Sequence, residues 1–493
     1  MTLNRGSQRA IIAIFFSLLA VVYAVAWFLP AISLDHDGAG YLVTARAIAT
    51  GQGYTIESLP SPIPQTNFPP LFPAVLALFT LVSRQTQWLK LLPLACTAGW
   101  LVLTRKLLLK MGASRNGAMF LLGLTAASPA VVFLSTNLLP ESLFALLVTA
   151  ALLALLEERA LLAGAFVGLA TLTLTAGAPL IVACILTLVV RLRFRGALIL
   201  AAVAMAIAAP WFGWSLAHVT HDGSHTSYAA SNILTGLAAN EKLVVAGRNL
   251  LLLLTSPFWL LAGLRNGISV VGTIVILTWC FYVRRQLVPD LFVVLYCLGL
   301  LCRISPPELP VAAILPLVLW IVWRVFRLMG NREALAALVL IAAAFPLWAD
   351  ATRILRARVS GYFAIEGAPA DDWNEMQRLF GFIRANTAPD GILLANLDGT
   401  FFLNTGRKAI RGFAPNGYDL FYAARQSAAT PDQLSNAIER ERVNYVVLTP
   451  DRGLAESASF HKSVEALERG GVVEPVSIPG VSRDYRLFRV TTH

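Results

Sequence analysis

The residue types best suited to chemistry stand together early in the chain, in Ser33-Leu34-Asp35-His36-Asp37-Gly38-Ala39-Gly40-Tyr41. Two carboxylates close to each other, at the end of an apolar stretch, can act as a general base toward a hydroxyl. They can also supply oxygen donors to a hard divalent cation such as Mg or Mn. A plainer reading is that they are solvated loop acids, with Asp37 capping the helix that follows. A run with helical spacing continues from Tyr41 to Ala49, followed by Gly51-Gln52-Gly53-Tyr54 and a Pro-rich strip from Ser58 to Pro70.

Other candidates are more scattered. Glu141 follows Pro140 at the start of an apolar run, where it can assist chemistry or simply suit a helix N-terminus. Arg303, beside Ser305-Pro306-Pro307-Glu308, has the fork geometry that holds phosphate, or it snorkels and pairs with Glu308. Arg248 and Lys242 are alternatives for the phosphate. His218, His221 and His225, with Asp222 between them, have spacings that can bind a metal, although Gly223 interrupts the run and loop histidines are usually solvated. Cys96, Cys184, Cys280, Cys297 and Cys302 lie in apolar segments without C-x-x-C spacing, and read as small core residues.

Something must position these groups, and composition says what. Of 493 residues, 57% are hydrophobic and 14% charged, with a mean hydropathy of +0.67. That excludes a soluble enzyme, a disordered protein and a fibrous one. Apolar segments of helical length recur at 10–30, 88–108, 116–134, 140–156, 160–191, 197–214, 266–283, 289–303, 310–327 and 333–349. The segment 160–191, with basic residues at both ends, reads as a hairpin of two short helices turning near Gly177-Ala178-Pro179. The expected total is about 11 transmembrane helices. The first, after MTLNRGSQR, is read as a retained helix, not a cleaved signal. Asn67–Val82 and Leu250–Gly263, each broken by Pro, are expected to be interfacial or re-entrant.

The chain carries 39 Lys and Arg against 28 Asp and Glu, a net +11. From Asp350 onward there are about 17 of each sign, so the excess lies in the apolar part. About 15 of these basic residues, from Arg5 and Arg9 to Arg327 and Arg332, fall in short loops on one side of the alternation. The expectation is a cytoplasmic N-terminus and an extracytoplasmic C-terminal part, with no nucleic-acid partner. Residues 1–349 then form the transmembrane domain, with a first outer loop at 34–87, and 350–493 an extracytoplasmic α/β domain. In the latter, helix-like runs (Asp371–Asn386, Asp432–Glu441, Phe460–Glu468) alternate with short apolar runs (Gly391–Ala395, Tyr445–Leu448, Gly471–Val476, Tyr485–Val490).

The run Asp35-His36-Asp37-Gly-Ala-Gly-Tyr41, then Gly51-Gln-Gly53-Tyr54 and Phe68-Pro69-Pro70-Leu71-Phe72-Pro73, resembles the N-terminal region of GT-C glycosyltransferases. The similarity is to the bacterial dolichyl-phosphate-mannose–protein mannosyltransferase-like and aminoarabinose-transferase-like group. Ser135–Glu141, Arg303–Pro316, Trp373–Asn386 and Asn404–Lys408 extend it more weakly. In this chain His36 separates two acids that the family pattern often has adjacent. The resemblance implies a GT-C-like membrane fold and transfer of a hexosyl or pentosyl group from a polyprenyl-phosphate donor to an acceptor hydroxyl on a glycan, lipid or protein. It implies Asp37 as base, Asp35 as metal ligand or acceptor-orienting group, and Tyr41 as a substrate-binding position. It gives the outer loop holding His221 and His225 a part in the acceptor or sugar pocket. The expected setting is the bacterial inner membrane. The competing readings are a secondary transporter and a lipid-linked-glycan flippase or polymerase. The absence of an internal repeat and the near absence of mid-span charges weigh against a transporter.

Overall fold

The computed structural model describes residues 5–28, 36–218, 241–250, 287–301, 312–328, 337, 362–363, 371–413, 429–450 and 455–491. They form two compact units. One holds residues up to 30, 83–211 and 239–353. The other holds 31–82, 212–238 and everything from 354 onward.

The first unit is helical. Its helices are α1 (Arg5–Phe28) and, beyond the second unit's α2 (His36–Ala49) and α3 (Leu71–Val82), α4 (Thr86–Leu89), α5 (Leu91–Lys110), α6 (Arg115–Ala127), α7 (Pro129–Thr136), α8 (Glu141–Leu156), α9 (Ala160–Thr173), α10 (Ala178–Val190) and α11 (Phe194–Ala217), whose last turns pass into the second unit. Residues 241–250 are also helical, and α12 (Leu287–Leu301) and α13 (Leu315–Leu328) follow. Among the described residues, Thr86–Lys110 and Phe194–Ala217 are long and apolar enough to cross a membrane. A third span results if α6 and α7, bent by 65°, count as one. The bend has a local cause: Ser128 is extended (φ −62°, ψ 127°) because Pro129 follows it. Most other apolar helices have 10–17 residues, and 14 residues reach only about 21 Å. The segment 266–283, the stretch 251–263 and all of 333–349 except residue 337 lie outside the described residues.

The 160–191 segment folds as two helices joined by a 3₁₀ turn at Thr175–Gly177. Arg193, just after α10, pairs with Glu158, just before α9, at 2.6 Å, so the two outer ends return to one place. Packing of α9 against α11 depends on missing side chains. A Cβ at Gly164 would stand 2.8 Å from the Leu200 carbonyl oxygen, and one at Gly168 2.9 Å from Ile207 Cβ. This small-xxx-small spacing brings backbones together where lipid offers no hydrophobic drive. Lys110 pairs with Glu157 at 2.7 Å, and Arg327 donates to the Gly112 carbonyl at 2.8 Å. These basic turns therefore gather at one end of the unit.

The second unit joins the first loop to the C-terminal residues. Its loop part has α2, a hairpin of β1 (Thr55–Ile56) and β2 (Ile63–Pro64), and α3. At 12 residues α3 is too short to span. After the short pair β3 (Tyr362–Phe363) and β4 (Asp371–Asp372) come α14 (Trp373–Asn386), β5 (Leu393–Ala395), α15 (Asp398–Thr405), β6 (Ala409–Ile410), α16 (Pro431–Glu441), β7 (Tyr445–Leu448), α17 (Ala455–Arg469), β8 (Val473–Val476) and β9 (Arg486–Val490). The sheet order is β6-β5-β7-β9-β8, with β5 parallel to β6 and β7, and β9 antiparallel to its neighbours.

Alternate residues of each strand serve opposite faces. Leu394, Val446, Leu448 and Phe488 join α16 and α17 in one core. Leu393, Ala395, Val447 and Leu487 join α14 and Phe401 in the other. The start of α16 is fixed by a capping box between Thr430 and Gln433, with Pro431 at the first helical position.

Candidate functional site

The candidate site lies in the first loop, on α2. Asp37 sits exposed in its first turn, where the helix dipole favours a carboxylate. Small residues follow because the helix is closely approached: a Cβ at Gly40 would stand 2.7 Å from the Phe68 ring. Tyr41, one turn beyond Asp37, is 4% exposed. Its ring packs 4.2 Å from Phe68 and edge-on to Phe72 at 5.2 Å. Thus Tyr41 and the Phe68-Pro-Pro-Leu-Phe72 strip are two sides of one aromatic contact, which gives their sequence pairing a packing cause.

A chain of hydrogen bonds fixes the rest of the loop. Thr44 Oγ1 donates to the Gly40 carbonyl at 3.0 Å, and Gln65 Nε2 donates to Thr44 Oγ1 at 2.9 Å. The Asn67 N–H donates to Gln65 Oε1 at 2.9 Å. Tyr54 Oη donates to the Phe68 carbonyl, and burial pushes its phenol up from the usual range. Gly51 and Gly53 take φ of +79° and +81°, so the Gly-x-Gly-Tyr run is a pair of left-handed turns.

Sequence reasoning passed over Glu57. Its side chain is buried in the second unit, and that burial pushes its carboxyl up; Lys408 and Arg46, from α2, pull it partly back. Lys408 Nζ also donates to the Glu57 backbone carbonyl. The available signal was a lone charge in a Pro-rich strip of a charge-poor chain.

The basic patch at Arg407, Lys408 and Arg411, which composition alone would leave as a solvated face, is half-buried and turned inward. Arg407 Nη2 donates to the Arg384 and Thr387 carbonyls at 3.0 and 2.9 Å. Arg411 pairs with Asp398 at 3.3 Å. Burial and local carbonyls, invisible in composition, make the difference.

Of the other candidates, Glu141 opens α8 and Arg248 is exposed in the helical residues 241–250, both in the first unit. His218 is half-buried and stacks on Trp214 at 3.7 Å, with Nδ1 2.9 Å from the Trp214 carbonyl. Asp35, Arg303, His221 and His225 lie outside the described residues. Among the described residues no three His, Cys, Asp or Glu side chains gather as metal ligands. Asp37 alone is too small a donor set for Mg or Mn, which prefer six oxygens.

No protein-family profile matches the chain, and no curated protein matches it. Among solved structures it is similar to ArnT from Cupriavidus metallidurans in the apo state, at 15% identity, a TM-score of 0.50 and 98% coverage of both chains. It is equally similar to that protein bound to undecaprenyl phosphate, at 15% identity, a TM-score of 0.50, and 97% and 98% coverage. Arabinofuranosyltransferase AftD from Mycobacteria aligns at 17% identity and a TM-score of 0.41, over 97% of this chain and 41% of that one. The chain has an ArnT-like, mostly helical fold, which is the fold implied by the first-loop resemblance.

Proposed function

We propose that the chain is a multi-pass glycosyltransferase of the bacterial inner membrane that takes a sugar from a polyprenyl-phosphate donor. The observation that carries this is the ArnT-like fold over 98% of the chain, with an acidic first loop folded around α2. A relative of the same fold bound to undecaprenyl phosphate supports the donor class. The C-terminal domain and the site belong on the outer side of the membrane, and the expected total is about 11 spans.

In the reaction an acceptor hydroxyl attacks the anomeric carbon. The carbon–oxygen bond to the lipid phosphate breaks, and polyprenyl phosphate leaves with the electron pair. Asp37 takes the hydroxyl proton, an assignment its exposed position permits. The leaving phosphate requires charge neutralisation more than an acid; Arg303 is assigned this task, with Arg248 as the alternative. Glu141 assists from the start of α8, Tyr41 acts through the aromatic contact that holds α2, and the loop of His221 and His225 shapes the sugar or acceptor pocket. A divalent metal at Asp35 and Asp37 would add charge for the phosphate. The acceptor hydroxyl belongs to a glycan, a lipid or a protein.

The test is product analysis by mass spectrometry, with a panel of polyprenyl-phosphate sugars supplied to the purified protein and its Asp37→Asn variant. Transfer by the parent and a loss of about a thousandfold in the variant are expected. Full activity in the variant removes Asp37 as base, and no transfer from any donor removes the reading.

A further inference from the structure

We infer that the C-terminal sheet sets the position of the helix that carries Asp37, with Gly399 and Lys408 as positioning residues. This rests on the reading of Asp37 as the base. The first loop is tied to itself by the Tyr41–Phe68 contact and the Thr44–Gln65 hydrogen bond, and these ties do not fix it to anything outside the loop. Among the described residues its strands are two residues each, and an isolated hairpin is marginal in water. A general base must nevertheless be held within hydrogen-bond reach of its proton.

The loop is gripped at two places within the second unit. At the first, α15 crosses the start of α2. A Cβ at Gly399 would stand 3.3 Å from the Ala39 Cβ, and Ala39, two residues beyond Asp37, is 2% exposed. The spacing there is set by the absence of a side chain on α15.

At the second, the edge strand β6 and the residue before it hold the Pro-rich strip. Lys408 Nζ donates to the Glu57 carbonyl, and the Ala409 N–H donates to the Ser58 carbonyl at 2.9 Å. Leu59 enters the core formed by Leu394, Ile410 and Phe413. Lys408 also lies over the Phe402 ring of α15, at 5.2 Å. The two grips are braced to each other, since Asp398 at the start of α15 pairs with Arg411 just past β6. Residues some 350 to 360 positions apart in the chain thereby fix the start of α2 and the strip that follows the helix. Simple stabilisation of the loop would need only the buried Leu59. A tight small-on-small contact beside the base points to placement.

The experiment uses the full chain in nanodiscs. Hydrogen exchange of the α2 amides is read without ligand, undecaprenyl phosphate binding is measured, and rates are taken with the sugar donor that scores in the product panel. Gly399→Ala should lower kcat about tenfold with donor KM and undecaprenyl phosphate affinity unchanged. Adding Ala39→Gly should restore kcat to within about twofold, because it removes the atom that the new methyl meets. Lys408→Met should speed α2 exchange about tenfold, and Lys408→Arg should leave it at the parental value. Parental kcat and exchange in Gly399→Ala and Lys408→Met, or a double variant no better than Gly399→Ala, would overturn the inference. If Asp37→Asn keeps full activity while Gly399→Ala loses it, α2 is still positioned by the sheet and only the identity of the base falls.

Discussion

The two units differ in the charges that join distant segments. In the first unit, acids and bases meet at helix ends, as in Lys110–Glu157 and Arg193–Glu158, with all four side chains at least 36% exposed. In the second, Glu57, Asp398 and the Arg407–Arg411 stretch are folded inward and used as fasteners. Exposed pairs are screened and contribute little to stability. Inward-facing charges are costly unless their geometry is satisfied, so they specify arrangement. The helical unit is thus held mainly by packing, whereas the loop-and-sheet unit relies on specific polar contacts to place one helix.

The sharpest way to break this contrast is at one of its exceptions. Asp290 on α12 is 1% exposed and pairs with Arg324 on α13 at 2.8 Å. Asp290→Ala leaves a half-buried guanidinium without that carboxylate, and should cost about 3–5 kcal/mol. A melting temperature in detergent within a degree of the parent would show that the pair behaves like the exposed ones. Next in size is packing itself. Gly168→Val forces a side chain against Ile207 and the Ala204 carbonyl, 2.9 and 3.1 Å from the added Cβ. A loss of about 1–3 kcal/mol is expected, read by chemical denaturation. No loss would mean that α9 and α11 are not held by close approach.

Much of the α/β part was legible. The helical runs expected from Asp371 and Asp432 coincide with α14 and α16, and Tyr445–Leu448 is a strand end to end. There, polar and apolar residues alternate with the period of each element, so pattern and structure share a cause. The described apolar segments were legible as helices but not as individual lengths, because breaks such as Ser128-Pro129 and Thr175–Gly177 are small events inside a uniform hydropathy signal. In the candidate site, Asp37 and Tyr41 are singled out by the first-loop resemblance. Glu57 and Gly399 cannot be, because their neighbours come from distant parts of the chain: Lys408 lies 351 residues beyond Glu57. Nor does a sequence show that the Arg407–Arg411 charges point inward.

Glu57 sharpens the contrast through pH. Burial raises its carboxyl pKa in the fold. The neutral form is therefore the one the fold favours. Its contribution is complete below the unfolded value of about 4.3 and is lost as pH rises through the higher folded value. Glu57→Gln keeps the neutral form at every pH. It should melt like the parent in acid and above it at neutral pH, as read by melting curves between pH 4 and 8. A variant less stable than the parent at neutral pH would mean that Lys408 and Arg46 outweigh the burial.

The smallest effect belongs to the exposed pairs, where the sign reverses. Hydrogen bonding and the charge of Lys110 hold the Glu157 carboxyl below the usual range, and Arg193 does the same for Glu158. For a lowered carboxyl the contribution is present above the unfolded pKa and fades as pH falls through the folded one. Solvent and salt screen both pairs. Glu157→Gln with Glu158→Gln should therefore leave the neutral-pH melting temperature unchanged within error, while the same measurement at low ionic strength shows a small drop. A loss as large as that of Asp290→Ala would mean that the basic turns are structural joints and not merely the charged rim of a packed helical unit.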